Sequence, residues 1–378
     1  MAPIITASER ASFRRCRRQW DLSAGLRQNL EPRPGEAAAP DLDRAARAAL
    51  AIYYYPGMWD WDREVRLPLV SQELDRAVAR QQAGGAETEQ VRRDGRALLD
   101  RYLAWAPSVD RFAPVLVEAD FEVPVPVPDP DPDRPESGLV TSAGAAVRYG
   151  GRVDLLAVDE HDAYWIVCHR LVRGDWVPVA DLAADEAALA ACWAWEQFYL
   201  GLAITGTIWN ELRVQPGEAA DRPRRRWRWP RRSDTETGGP PLVRQHEPSG
   251  GGRSVPQHRR MYARTAEPAH AAPVEQVTGP GFRRTWLRRR PQDVAAAGRR
   301  LAVDAAAMVA PEVATDPSPS DRNCPPCVFG DPCRAMMAGQ DPAGVLAAGY
   351  QPRPAPGVQP GRLGSHAWGQ GRGAAPPG

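Results

Sequence analysis

Hydrophobic and polar residues alternate along this chain with two different periods, which predicts both helices and strands. The sequence from Thr6 to Glu9 is a capping box, and it predicts a helix that runs through Phe13, Trp20 and Leu22. Further along, Leu98 and Tyr102 belong to a set of apolar residues at helical spacing. Helices are therefore also predicted over 41–55, 85–106, 181–204 and 291–310.

Between residues 111 and 214 the pattern becomes typical of β-strands. Alternating and continuous apolar runs predict strands over 115–123, 145–158, 163–171 and 207–214. The acidic, proline-rich stretch 124–137 is excluded from a strand interior, because proline cannot donate to a sheet. Strands followed by a helix and a further strand are typical of an α/β or α+β core, in which helices lie against one sheet.

Regular periodicity is absent from residues 215–281 and 351–378, and the chain as a whole contains 39 Pro and 33 Gly. Both stretches are predicted to be disordered, since such compositions bury too little apolar surface to offset the entropy of folding. We divide the chain accordingly. The predicted segments are an N-terminal helix (1–29), a helical region (41–110), the core (111–214), a basic insert (215–281), a C-terminal helix with a Cys-rich loop (282–350) and a tail (351–378).

The composition and the net charge of the chain exclude some classes of protein function. The 48 basic residues are all Arg, and 47 acidic residues leave a formal net charge of +1, which excludes a uniformly basic DNA-coating protein. Abundant Ala, Arg, Pro and Gly without Lys are typical of a GC-rich coding sequence. No segment approaches the roughly 18–20 apolar residues of a membrane helix, and the N-terminus lacks the apolar run of a secretory signal. We therefore expect a cytoplasmic protein that does not enter a membrane.

The positive charge is concentrated in the insert, where residues 222–264 hold 12 Arg against 3 acidic residues. Arginine neutralises phosphates and tryptophan stacks on unpaired bases, so this segment suits a flap that binds single-stranded DNA. The alternative is a solvated loop whose arginines reflect coding bias. The stretch 282–290 is expected to add basic surface. The candidate DNA-binding residues are Arg224, Arg225, Arg226, Trp227 and Trp229.

Three of the six cysteines lie within ten residues of one another, in a proline-stiffened loop. They are Cys324, Cys327 and Cys333. Such thiols can converge on one soft metal centre, and a CxxC turn places two sulfurs on the same side. Cys16 is the natural fourth ligand, because Cys168 lies in a predicted strand and Cys192 in an apolar helix. Zinc and a 4Fe–4S cluster both remain open from the spacing, as do three unrelated thiols.

The N-terminal F-x2-C-x3-W pattern around Cys16, combined with the C-terminal C-x2-C-x5-C pattern, resembles the iron–sulfur staple of RecB-type nucleases. That group includes AddB-type helicase–nucleases and CRISPR-associated iron–sulfur exonucleases, all in the PD-(D/E)XK superfamily. The resemblance implies an α/β (α+β) fold with a restriction-endonuclease-like core sheet flanked by helices. It also implies that a 4Fe–4S cluster joins the N- and C-terminal segments through Cys16, Cys324, Cys327 and Cys333, with zinc as the alternative.

The resemblance extends to the active-site strands, where carboxylates of the family hold a divalent metal. Val117 to Phe121 resembles the early strand and supplies Glu118, while Tyr149 to Leu156 resembles the Gly-hydrophobic-Asp motif and supplies Asp154. The next strand carries Cys168 where the family has a second carboxylate, and Arg170 where it has Lys. The metal-binding His of the early helix in many relatives has no counterpart in residues 41–52.

These substitutions change the expected chemistry. Arg170 can orient a phosphate but does not readily lose a proton, and Cys168 is a poor ligand for Mg²⁺. Glu196 is a possible source of the missing carboxylate. His169 is expected to be a partly exposed strand residue, and Trp193 and Trp195 are expected to pack in the core or at an interface.

The function implied by the resemblance is DNA processing. An active protein would hydrolyse phosphodiesters in an exonuclease-like manner, with Mg²⁺ or Mn²⁺ on Asp154 and Glu118 and with Arg170 at a phosphate. The expected partner is DNA that is single-stranded or has free ends. Because Cys168 and Arg170 depart from the motif, the alternative is a catalytically inactive DNA-binding or assembly subunit that keeps the fold and the cluster. A zinc-stapled protein unrelated to nucleases is a third hypothesis.

Overall fold

The structure is a computed structural model that describes residues 3–33, 41–81, 86–129, 138–199, 201–214 and 274–353. All of these belong to one compact unit, formed by Met1–Asp221 and Ala272–Gly378. The second unit, Arg222–Ala271, lies outside the described residues, as does 354–378. The predicted disorder of the insert and the tail therefore stays a prediction for those ranges.

A seven-stranded mixed sheet forms the centre of this unit, in the order β1-β4-β5-β6-β8-β7, with β3 paired along the other edge of β4. The β1–β4 and β5–β6 pairs are parallel, and the remaining pairs are antiparallel. The strands of this sheet are β1 (Ile4–Ile5), β3 (Phe112–Pro124), β4 (Arg148–Asp159), β5 (Tyr164–Val172), β6 (Ile204–Arg213), β7 (Val274–Gly279) and β8 (Phe282–Arg288). A separate pair consists of β2 (Leu30–Pro32) and β9 (Tyr350–Pro352).

Helices cover both faces of the sheet. One apolar cluster joins β4, β5 and β6 to α3, α4 and α5, and another joins β3 and β4 to α1, α2, α7 and α8. The α-helices are α1 (Ala7–Arg15), α2 (Arg17–Ser23), α3 (Leu42–Tyr53), α4 (Arg63–Ala79), α5 (Ala86–Trp105), α6 (Val179–Ala183), α7 (Glu186–Phe198), α8 (Pro291–Val309), α9 (Gly330–Met337) and α10 (Ala343–Gly349). No helix in the described ranges is long and apolar enough to cross a membrane.

The first predicted helix is interrupted. The Thr6 capping box is present, but Cys16 adopts an extended conformation with φ −159° and ψ 111°, which ends α1 and begins α2. The prediction of one continuous helix was therefore wrong at Cys16. The break places the thiol of this residue at a helix junction, beside the loop that follows α8.

Two further elements differ from the sequence predictions. The helix predicted over 181–204 is shorter, because Asp185 caps its start and Tyr199 is extended at its end. Part of the segment assigned to an irregular insert forms β7, which pairs with β8 through backbone hydrogen bonds. The pairing with β8 therefore defines β7 as an edge strand, even though its side chains give no clean alternation.

A buried polar network lies beneath the helices α3 and α5. Arg284 of β8 forms an ion pair with Asp110, and its Nη2 donates to the hydroxyl oxygens of Tyr54 at 3.0 Å and Tyr102 at 2.9 Å. The side-chain amide of Asn210 also donates to Tyr102, at 2.8 Å. Each of these buried side chains thus has a partner from a distant part of the chain, although Arg284 Nε has none among the described residues.

This network corrects one expectation about charge. Arg283 and Arg284 were expected to add basic surface, but both are buried in ion pairs, with Glu211 and Asp110 respectively. Their positive charges are therefore neutralised inside the fold. They contribute to stability rather than to a surface for DNA.

Candidate active site

The candidate site lies where two neighbouring strands separate. β4 and β5 pair only from Leu155–Val167 to Val158–Tyr164, so Asp154 and Cys168 are the first residues beyond the paired stretch. The backbone N–H of His169 donates to Asp154 Oδ2 at 2.7 Å. The carboxylate of Asp154 consequently sits in the opening between the strands, held by the backbone of β5.

Arg47 of helix α3 forms a salt bridge with the carboxylate of Asp154. Arg47 Nη1 lies 3.2 Å from Oδ1 and 3.1 Å from Oδ2 of Asp154, and Arg47 Nε donates to Asp43 Oδ2 at 2.8 Å. Asp43 in turn accepts a hydrogen bond from the backbone N–H of Leu171 at 2.9 Å. Asp43 and Arg47 therefore fasten the N-terminal half of α3 to the strands that carry the site.

Burial and the nearby charges shift the pKa of Asp154 in opposite directions. Burial raises the pKa of Asp154, while the positive charge of Arg47 and the N–H of His169 act in the opposite direction. The neighbouring charge of Asp43 raises the pKa further. The carboxylate is partly buried, and a nearby cation favours its charged form.

Glu118 stands across from Asp154 on the adjacent strand. Its neighbours Val117 and Ala119 pair with Leu155 and Val153, which flank Asp154. Glu118 has φ 44°, a left-handed conformation that is unusual for a residue with a side chain and often marks functional sites. Burial raises the pKa of Glu118, Arg152 lowers it and the charge of Asp154 raises it. The two carboxylates thus share one electrostatic environment.

The other two predicted site residues are placed less favourably. Burial raises the pKa of the Cys168 thiol far above its ordinary value, and the charge of Asp154 adds to the shift, so this residue remains a neutral thiol. Arg170 lies 3.5 Å from Asp185 and stacks over Trp209, with 4.5 Å from its guanidinium carbon to the ring centroid. Its guanidinium is thus engaged at the N-terminus of α7.

Three aromatic residues of α7 and β5, Trp193, Trp195 and His169, are all buried. Trp193 and Trp195 are buried in the core, as predicted. His169 is buried, not partly exposed: its ring stacks on Tyr54 and its Nδ1 lies 2.9 Å from the Asn210 amide. Burial lowers the pKa of His169 to about 3, and the charges of Arg47 and Arg284 contribute. Its ring belongs to the buried network, and only its backbone reaches the site.

Glu196 does not provide a replacement carboxylate. Its side chain accepts a hydrogen bond from the backbone N–H of Ile204 at 3.1 Å and so links α7 to the start of β6. A further acidic residue linked to Asp154, through Arg47, is Asp43, which was not selected from the sequence. The sequence feature that could have identified Asp43 is its i,i+4 spacing from Arg47 on a predicted helix. Residues at this spacing most often form a solvated ion pair.

The four predicted cluster cysteines lie in one neighbourhood. The backbone N–H of Ser318, in the loop after α8, lies 3.5 Å from Cys16 Sγ. Burial raises the pKa of Cys333, and among the further contributions are the charges of all three other cysteines, Cys16, Cys327 and Cys324. These contacts bring Cys16, at the α1–α2 junction, into the neighbourhood of the three C-terminal cysteines, without arranging the described thiols as a metal-binding group.

Within the described residues, no group of three or more His, Cys, Asp or Glu side chains is arranged to hold a metal ion. Mg²⁺ is commonly held by one or two carboxylates and completes its shell with waters and phosphate oxygens. Asp154 and Glu118 fit that donor requirement, whereas the neutral thiol of Cys168 does not. Arg224, Arg225, Arg226, Trp227 and Trp229 lie outside the described residues.

The order of these elements can be compared with known families. A family model of the PD-(D/E)XK nuclease superfamily matches residues 4–168. The matched segment contains Arg47, Glu118, Asp154 and Cys168, and the mixed sheet flanked by helices is consistent with the fold of that superfamily. Its members are usually metal-dependent nucleases. No curated protein matches the chain.

The predicted resemblance to the superfamily is thus supported over residues 4–168, and the mixed sheet flanked by helices confirms an α/β fold class. The subgroup of RecB-type, AddB-type and CRISPR-associated iron–sulfur enzymes stays a prediction. The same holds for the 4Fe–4S cluster and for the assignment of individual site residues.

Proposed function

We propose that this chain is a DNA-processing protein of the nuclease type, which hydrolyses phosphodiesters with Mg²⁺ or Mn²⁺. The observation that carries the proposal is the placement of Asp154 and Glu118. They stand opposite each other on β4 and β3, with Asp154 at the opening between β4 and β5, and both lie within the segment that matches the nuclease superfamily. Hard oxygen donors in such a pair are what Mg²⁺ and Mn²⁺ prefer.

A divalent cation bound at this pair would activate water and stabilise the charge that develops on the phosphate. The chain's own residues set the pair in place. The N–H of His169 fixes Asp154, and the left-handed backbone of Glu118 sets the direction in which that side chain leaves β3. Arg170 is partly exposed at the same end of β5, and a phosphate oxygen would compete with Asp185 for its guanidinium.

The proposed partner is DNA with single-stranded or free ends, processed in the exonuclease-like manner of RecB-type enzymes. The arginines and tryptophans of the insert support it by composition, because Arg224, Arg225 and Arg226 can neutralise phosphates while Trp227 and Trp229 can stack on bases. A cytoplasmic location, where thiols stay reduced, is part of the same proposal.

The proposed activity is tested by incubating labelled single- and double-stranded DNA with anaerobically purified protein and Mg²⁺ or Mn²⁺. We expect cleavage by the wild type, a loss of at least 100-fold in Asp154→Ala, and wild-type rates in Asp120→Ala. Asp120 is a matched control because it is an exposed carboxylate on the same pair of strands, bound to Arg152. Cleavage that survives Asp154→Ala would overturn the assignment of the site.

A second candidate function is DNA binding without hydrolysis, in an assembly that retains this fold. It is favoured by the salt bridge that occupies both oxygens of Asp154 and by the neutral Cys168 thiol in place of a carboxylate. In the same assay, folded protein that retains DNA in a gel shift but never cleaves it would support this candidate over hydrolysis.

The cysteines are proposed to hold a 4Fe–4S cluster that joins the two ends of the unit, with Cys16, Cys324, Cys327 and Cys333 as ligands. Four thiols suit iron–sulfur or zinc equally by donor type, so iron and acid-labile sulfide must be measured. We expect brown protein whose iron is lost in Cys333→Ser and kept in Cys192→Ser, since Cys192 is buried in α7. A colourless preparation that contains zinc would contradict the cluster.

A further inference from the structure

We propose that Arg47 acts as a built-in counterion that competes with a divalent cation for Asp154, so that metal binds tightly only when this guanidinium leaves. The inference rests on the proposed function, because it takes Asp154 and Glu118 as the ligand pair. It concerns a residue that the comparison with the superfamily does not explain.

The competition follows from the hydrogen-bond geometry. Arg47 Nη1 lies 3.1–3.2 Å from both oxygens of Asp154, and the N–H of His169 uses a further lone pair of Oδ2. A metal ion bound to this carboxylate would lie close to the Arg47 guanidinium, and two cations at one carboxylate repel each other. The guanidinium and the metal are therefore alternative partners of one carboxylate.

Arg47 is directed to this place by its own helix. The Asp43 carboxylate accepts from Arg47 Nε through Oδ2 and from the N–H of Leu171 through Oδ1. Asp43 thus binds the strand with one oxygen and Arg47 with the other. The arginine is anchored at its Nε, while its Nη1 end reaches over Asp154.

Charge balance supports the same conclusion. Asp43, Asp154 and Glu118 contribute three carboxylates to one region, and Arg47 is the cation that bonds to two of them. The other nearby arginines pair with other carboxylates, Arg152 with Asp120, Arg80 with Glu73 and Arg170 with Asp185, although the charges of Arg152 and Arg80 also act on Glu118. Without Arg47 the carboxylates of Asp43 and Asp154 would lose the cation that bonds to both, and negative charge left in this way attracts a divalent cation.

The pair is also open to exchange. The Arg47 side chain is 38% exposed and that of Asp154 is 22% exposed, so solvent reaches both partners. Ion pairs of this kind gain little free energy, because water screens the charges and the long side chain loses rotamer freedom. A metal or a DNA phosphate can therefore compete for Asp154 or for Arg47 without disturbing the fold.

The test measures Mn²⁺ affinity directly, by electron paramagnetic resonance of the free ion, with the full-length chain and no DNA. We expect Arg47→Gln to bind Mn²⁺ at least tenfold more tightly than the wild type, and the gain to disappear when Asp154→Asn is added. Arg44→Gln is the matched control, because Arg44 is an exposed arginine on the same helix, and it should leave the affinity unchanged. Circular dichroism confirms folding, and Arg47→Ala provides a second neutral variant.

The possible results separate the two proposals. Equal Mn²⁺ affinity in wild type and Arg47→Gln, lost in both with Asp154→Asn, would overturn the competition and leave the ligand pair standing. Binding that never depends on Asp154 in any variant would remove the ligand pair, and with it the proposed hydrolysis. A gain in Arg44→Gln equal to that in Arg47→Gln would show a general charge effect and also overturn the competition.

Discussion

Two Arg–Asp ion pairs in this protein share the same chemistry but differ in their exposure to solvent and in the elements that they join. Arg284 and Asp110 lie in the network under α3 and α5, with side chains that are 0% and 3% exposed. Arg47 and Asp154 lie at the opening between β4 and β5, where the corresponding values are 38% and 22%. The first pair joins a strand of the sheet to the segment that precedes β3, and the second joins a helix to a strand.

The difference in exposure indicates which pair stabilises the fold and which pair can separate. Removing one partner of a buried pair leaves an uncompensated charge in a poorly solvated place, which is strongly destabilising. An exposed pair loses little when it opens, since water solvates both ions. The buried pair is therefore a structural element, whereas the half-exposed pair at Asp154 is free to exchange partners with a ligand.

The largest effect is expected at the buried pair. Arg284→Ala removes the ion-pair partner of buried Asp110 and the donor to Tyr54 and Tyr102, so it should lower the free energy of unfolding by about 3–5 kcal/mol. Urea denaturation measures this loss. Arg111→Ala, at an exposed arginine, is the control and should change stability by less than about 1 kcal/mol. Equal losses in both variants would remove the distinction between the two kinds of pair.

A decrease in pH is expected to have an intermediate effect on the free energy of unfolding. Burial lowers the pKa of His169 to about 3, whereas an unfolded histidine titrates near 6.5. Below pH 6.5 the unfolded chain takes up this proton and the folded chain does not, so the contribution of His169 to stability falls by roughly 2 kcal/mol from pH 7 to pH 5.

Buried carboxylates complicate this pH dependence, because the raised pKa values of Asp110 and Asp154 favour proton uptake by the folded state. The comparison of wild type with His169→Gln in urea titrations at both pH values isolates the imidazole. A stability difference between the two proteins that stays constant from pH 7 to pH 5 would show that His169 is accessible to protons in the folded state.

The smallest effect is expected at the half-exposed pair. Arg47→Gln should change the free energy of unfolding by no more than about 1 kcal/mol, because the lost ion pair is solvated. Thermal and urea denaturation without metal measure this value. A loss close to that of Arg284→Ala would mean that Arg47 is a structural residue, and the two pairs would no longer differ in kind.

Much of the core could be predicted from the sequence because its strands carry strong apolar patterns. β3, β4 and β5 lie within a few residues of their predicted positions, and Asp154 was selected by its motif. α4 was not predicted, since Pro68 lies inside it and its apolar residues give only a weak stripe. β7 was missed because its pairing with β8, and not its own side chains, defines it.

The candidate site could be predicted only in part. A motif identifies Asp154, but the partners of a charged residue depend on which distant segments the fold brings together. Arg47 reaches Asp154 because α3 packs on β4 and β5, and nothing in residues 41–55 alone specifies that packing. The burial of His169 and Arg284 has the same origin, since each depends on Tyr54 or Asn210 from another element.

The pairing of β2 with β9 has a consequence for the order in which the chain folds. Leu30–Pro32 and Tyr350–Pro352 are about 320 residues apart, and Phe329 and Tyr350 stack with ring centroids 5.2 Å apart beside Leu22. Contacts across so long a loop close slowly, because the entropy of closure must be overcome before the contact is rewarded. The carboxylate site draws its residues from 43 to 171 and can form from nearer contacts. We therefore expect the site to assemble first, and the joining of the two ends to be the final step of folding.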